Sequence, residues 1–170
     1  MKLSIPVKIA IISGMVTCIT WYLLALKMGF YSYTYYGIRL LIMFGFIFTG
    51  VFTSVILSKR KVGGFFEFKE CLKAGMLYTI ILALIVAIFN YVSHTFITPD
   101  TIDFFCSDIK KTGLEHRQSQ AIITQAVEAQ KNSFSSFRLF PPALFSGLVF
   151  SLLAGAILQK NNPNKHIVEK

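Results

Sequence analysis

The sequence predicts an all-α integral membrane protein, a four-helix bundle with an amphipathic helical extracytoplasmic loop between its third and fourth helices. Three observations carry the prediction. The first is where charge is missing. Eighteen uncharged residues separate Lys8 from Lys27, nineteen separate Arg39 from Lys59, twenty-six separate Lys73 from Asp100, and twenty-one separate Arg138 from Lys160. A bilayer core takes roughly 20 mostly apolar residues per helix. The second is composition: 54 % of the 170 residues are hydrophobic, above the usual globular share. The third is that the cations cluster at the ends of the apolar runs, where positive charge fixes membrane orientation. A water-soluble core of four buried helices competes with this reading, but too few polar residues remain to cover them.

The same charge placement argues against a nucleic-acid partner, despite the net charge of +9. No soluble domain is left to carry a nucleic-acid motif. Cys18, Cys71 and Cys106 lie far apart with no CxxC pair, so neither a disulfide nor a cysteine metal site is expected. No cofactor is expected either.

Along the chain, helix one spans about 7–26. It is longer than a signal-peptide core and no A-x-A site follows, so it reads as a retained helix. A connection with Tyr31, Tyr33, Tyr35 and Tyr36 follows. It reads as an aromatic belt at headgroup level, with an aromatic-ligand platform as the sharper alternative. Helix two spans about 38–57 and helix three about 72–96, ended by Pro99. The extracytoplasmic loop covers 97–138. Within it "SQAIITQAVEAQ" places Ile122, Ile123, Ala126 and Val127 on one helical face, to lie on the membrane or on the bundle. Thr112-Gly113 reads as the turn separating it from "DFFCSDIKK". Pro141-Pro142 open helix four, about 141–158, and a polar tail covers 159–170.

With both termini in the cytoplasm, ten Lys and Arg lie inside and seven outside, and the inner ones crowd the helix ends. Both termini are therefore expected on the cytoplasmic side of the membrane. The seam "KRKVGGFFEFKECLKAG" is then the inner elbow. Lys59, Arg60 and Lys61 stop helix two and attract anionic lipid. Gly63 and Gly64 let the chain turn, while Phe65 and Phe66 wedge into the headgroup boundary. Phe68 begins an amphipathic turn of helix three, with Glu67 and Glu70 near its positive end. A membrane-anchored hairpin turn and a docking elbow for a cytoplasmic partner both fit.

Chemistry is sparse. The helix interiors hold no ionisable residue, in contrast to transporters and pumps. Arg39, Asn90 and His94 lie near the outer ends of helices two and three, as three interfacial groups or the beginning of a polar pocket. Asp100, Asp103, Asp108, Glu115 and His116 in the loop match neither HExxH nor an EF-hand, and no GxSxG or phosphate loop occurs. No catalytic or metal-binding residue is assigned. Small residues do recur at four-residue spacing: Gly147, Ser151 and Gly155 in helix four, Gly45, Thr49 and Thr53 in helix two, Ala10, Gly14 and Cys18 in helix one, Ala83 and Ala87 in helix three. Such stripes let helix backbones approach within lipid, in this bundle or against a second membrane helix.

The segment "GGFFEFKECLKAG", the exit "ITPD" at 97–100 and the polar helical loop before helix four together resemble domain-of-unknown-function family 4199. The resemblance implies an uncharacterised bacterial four-helix membrane protein, hence an expected location in a bacterial inner membrane, and brings no catalytic residues. The expected role is a non-enzymatic membrane component or accessory subunit, partnered by the lipid bilayer and by a second copy or another membrane protein. A small transporter or channel is the alternative. An enzyme using His116 and the nearby acids at the outer surface is the third.

Overall fold

The computed structural model describes residues 4–133 and 139–160. Lys2, Arg138, Lys165 and Lys170, and most of the expected tail, lie outside the described residues. Helix α1 covers Ile5–Met28, with Pro6 in its first turn, where its missing N–H costs nothing. Helix α2 covers Tyr33–Lys61. Helix α3 covers Phe68–Val92 and passes into a π turn, Ser93–Ile97, closed by the Thr98 N–H donating to the Ser93 carbonyl at 2.8 Å. Helices α4 (Thr101–Glu115) and α5 (Gln120–Ser133) follow, and α6 covers Phe140–Leu158. The four expected long helices are thus α1, α2, α3 and α6. No β-strand occurs among the described residues.

α1, α2, α3 with its π turn, and α6 are each long and apolar enough to cross a membrane. α2 and α3 lie at the centre, each packed against all three other long helices, while α1 and α6 take opposite flanks. Trp21, Met43, Ile47, Val51, Tyr78, Leu82 and Val86 fill the core. The exterior is also apolar: Ile12, Ile19, Leu41, Ile88, Phe145 and Ile157 are each more than half exposed. Apolar surface on this scale is foreign to a water-soluble monomer. The architecture fits a membrane protein.

α2 starts five residues before the expected boundary. The tyrosine-rich stretch read as a connection is helical, and only residues 29–32 join α1 to α2. The shift moves Arg39 from the first turn of the expected helix to the second turn of α2, still near the helix start.

The turn expected at Thr112-Gly113 is also overturned. α4 runs through both residues, and the chain reverses at 116–119 with Arg117 at φ 52°. Gly113 serves packing instead: a Cβ there would lie 2.7 Å from Ile123 Cγ1 of α5. The apolar face of α5 packs on α4, where Ile123 and Val127 meet Cys106, Ile102 and Ile109. Ala126 is half-buried, but Ile122 is exposed, so the buried face is narrower than expected.

The small-residue stripes divide. A Cβ on Gly147 would collide with Thr79 of α3, and one on Gly155 would lie 2.8 Å from the Phe68 ring. Ser151 lies against Gly75, and Gly14 of α1 against Ile85. These positions let α6 and α1 approach α3 closely. The α2 stripe does not do this. Gly45 has open space around it, and Thr49 and Thr53 are exposed. Met43, Ile47, Val51 and Val55 turn the other face of α2 to the core, and Gly50, set against the Tyr78 ring, is its close-packed glycine.

The elbow is strapped to the end of α6. Gly63 and Gly64 adopt φ +80° and +90°, which favour glycine. Phe66 and Lys160 exchange both backbone hydrogen bonds at 2.9 Å. The Lys59 ammonium donates to the Leu158 carbonyl at 2.7 Å, satisfying an orphan acceptor at the α6 C-terminus. Phe66 is buried and Phe68 packs on Gly155, so these two rings face the bundle rather than a headgroup layer or a partner. Phe65 stays exposed, under the Lys160 ammonium. Glu70 accepts the Glu67 N–H at 2.9 Å, which caps α3.

Gly147→Leu forces overpacking at the α3–α6 contact and is expected to cost about 1–3 kcal/mol. Gly45→Leu, in open space, should leave stability unchanged. Thermal unfolding of both variants in mild detergent checks the contrast, and equal midpoints would contradict the packing described.

Candidate functional site

The site is built at the end of the bundle where α2 begins and α3 ends. Arg39 is only 5 % exposed. Its guanidinium carbon lies 4.1 Å from the centroid of the Trp21 ring on α1, and 5.3 and 5.2 Å from the rings of Tyr35 and Tyr36. Nη2 donates to Oδ1 of Asn90 on α3. One side chain from α2 thus holds α1 and α3 together. Arginine suits the position because its planar, weakly hydrated cation stacks on aromatic faces. No carboxylate among the described residues pairs with it. Aromatic faces, the Asn90 amide oxygen and a side-chain hydrogen bond with Tyr35 help to replace water around the buried charge.

The polar trio read from the sequence is brought together. Arg39, Asn90 and His94 line one cavity of about 410 Å³. The π turn carries His94, and π turns within helices recur at functional sites. Gln130 of α5 adds another polar side chain, and Tyr33 and Tyr36 supply hydroxyl-bearing rings. Leu40, Phe44, Phe105, Leu139 and Pro142 make the apolar wall. A mostly apolar chamber of this size with a few convergent polar groups has the usual make-up of a small-molecule site.

α4 covers the cavity because the tyrosines hold it there. Tyr33 and Tyr36 meet Phe105 edge-on at 4.6 and 5.5 Å between centroids, and Tyr31 meets Phe104 at 4.8 Å. The Tyr33 hydroxyl donates to Asp108 Oδ2 at 3.1 Å. Tyr35 is buried. The rings of the expected belt divide: Tyr31 and Tyr33 stay exposed while touching α4, and Tyr35 and Tyr36 pack around Arg39. The pattern was present in the sequence. Tyr35 and Tyr36 stand four and three residues before Arg39, on one helical face. Placing the helix boundary after them hid it. Trp21, Phe105 and Gln130 come from distant segments, and no local spacing connects them to Arg39.

The loop acids do not gather. Asp100 precedes α4 and His116 follows it, about 24 Å apart at 1.5 Å per residue, and Asp108 is engaged by Tyr33. Among the described residues no group of three or more His, Cys, Asp or Glu is placed to hold a metal ion.

The family described as "Protein of unknown function (DUF4199)" matches residues 8–160, and the chain belongs to it. No curated protein and no solved structure matches the chain.

Removing Asn90 leaves the Arg39 charge with one fewer partner in a buried place. Asn90→Leu is expected to cost about 2–3 kcal/mol. The same change in an Arg39→Met background should cost much less, because the charge is gone. A double-mutant cycle by thermal unfolding reads the coupling, and additive effects would contradict a direct Arg39–Asn90 interaction.

Proposed function

We propose that this DUF4199 member is a multi-pass, non-enzymatic membrane component that binds an anionic amphipathic small molecule in the Arg39 cavity. One observation carries the reading: a buried guanidinium with no carboxylate partner among the described residues lines a chamber large enough for a ligand. An ionisable group inside a membrane helix is expensive and points to function. The guanidinium fork matches a carboxylate or phosphate in two parallel hydrogen bonds. The tyrosine, phenylalanine and leucine walls accept the apolar body of the same molecule. With both termini cytoplasmic in a bacterial inner membrane, the cavity opens on the outer side, beneath α4 and α5.

A small transporter is the second reading, and the convergence of Arg39, Asn90 and His94 favours it. It also needs a path through the bundle. Trp21, Met43, Ile47, Leu82 and Tyr78, all buried, fill the interior beyond the cavity. That packing supports binding over conduction.

Trp21 is the one tryptophan of the chain and stacks on Arg39, so its emission reports the site. Titrating the purified chain in non-ionic detergent with octyl phosphate or decanoate should give a saturable emission change. Arg39→Gln should weaken the affinity about tenfold to a hundredfold, the worth of charge-assisted hydrogen bonds. No saturable change in the native chain, or equal affinity in Arg39→Gln, would contradict the reading.

A further inference from the structure

We infer that the groove between the first turn of α1 and the last turn of α2, at the end of the bundle opposite Arg39, binds one anionic phospholipid. The groove is open and has a volume of about 520 Å³. Ile5, Ile9 and Leu57 form its apolar walls, and Lys8, Arg60 and Lys61 are its charged residues. No acid is among its lining residues, and three basic residues border one open, apolar slot. That is the complement of a phosphate headgroup with an acyl chain attached, and basic pockets between membrane helices hold such headgroups.

Two details sharpen the assignment. Lys8 lies in the first turn of α1, which carries no acid. A cation there meets the positive end of the helix, an unfavourable placement that a bound phosphate reverses. Lys59, by contrast, is not a headgroup ligand. Its ammonium is held by the Leu158 carbonyl, on the α6 side of α2. The lipid contacts expected from the run Lys59-Lys61 therefore belong to Arg60 and Lys61, joined by Lys8 from fifty residues away. A free phosphate would use the cations alone and leave the three apolar walls without a role. The inference is independent of the Arg39 cavity.

The experiment is native mass spectrometry of the full chain in non-ionic detergent, with phosphatidylglycerol and phosphatidylcholine of identical acyl chains. One phosphatidylglycerol should be retained, and phosphatidylcholine should not. Each cation near an anionic headgroup is worth about fivefold in affinity. Lys8→Gln and Arg60→Gln should each lower retention by about that factor, and the triple Lys8→Gln, Arg60→Gln, Lys61→Gln variant should abolish it. Lys110→Gln with Lys111→Gln, on α4, should retain the lipid. Lys8→Glu separates binding from folding: it suits the α1 N-terminus, so the chain should unfold no earlier while losing the lipid. Equal retention of the two lipids, equal loss in the α4 variant, or displacement of the lipid by equimolar glycerol phosphate would each overturn the inference.

Discussion

A guanidinium lying on the only tryptophan of the chain ties three helices together at one end of the bundle. Arg39 comes from α2, Trp21 from α1 and Asn90 from α3. A cation taken out of water must find replacement for its hydration, and an isolated one is costly. Here replacement comes from the faces of Trp21, Tyr35 and Tyr36, from the Asn90 amide oxygen and from a side-chain hydrogen bond with Tyr35. Those partners fix where α1 and α3 sit around α2. Of the two tyrosines that border Arg39, Tyr36 reaches Phe105 of α4, and Tyr31 and Tyr33 just before it add contacts to Phe104, Phe105 and Asp108, which sets α4 beside the cavity. The chamber, its polar lining and its cover all follow from where one charged side chain is held.

The rest of the bundle is ordered by volume rather than charge. Within lipid there is little hydrophobic gain in bringing one apolar helix to another, so close van der Waals contact must do the work. α3 is the helix around which this happens. Gly147 and Gly155 admit Thr79 and Phe68, Gly75 admits Ser151, and Gly14 admits Ile85. The elbow completes the arrangement at the other end. Its backbone pairs with Lys160, its lysine caps α6, and Phe66 closes the core. One end of the bundle is therefore strapped, with Lys8, Arg60 and Lys61 bordering the groove between α1 and α2. The other end is polar, aromatic and hollow.

Much of this was legible in the sequence, and the parts that were not have physical reasons. Four charge-free runs of bilayer length mark α1, α2, α3 and α6, because so few polar residues remain to cover them in water. The boundaries were harder. Tyrosine is at home at a membrane interface and in a helix alike, so "YSYTYYGIR" read as a connection until Tyr35 and Tyr36 were seen on one face with Arg39. Gly113 has the local chemistry of a turn, but the need for α5 to come within reach of α4 decides its use. Phe66 looked like a membrane wedge because sequence does not reveal that the chain beyond α6 returns to pair with it. The threonines of α2 have the spacing of a packing stripe, and the larger residues two positions away took the core instead. Arg39, Asn90 and His94 were visible as candidates. Their convergence depends on a π turn and on contacts among distant segments, and local pattern carries neither.

The most direct test concerns the guanidinium itself. Side-chain nitrogen resonances of arginine report both charge and contact, and Arg39 is assigned by its disappearance in Arg39→Lys. In the native chain in a nanodisc, the Arg39 signal is expected to be that of a charged guanidinium shifted by the Trp21 ring. It should move saturably when an amphipathic carboxylate is added, while the other arginine signals stay still. A signal at the position of a solvated arginine, or one that no anion moves, would contradict a buried cation held ready for an anionic ligand.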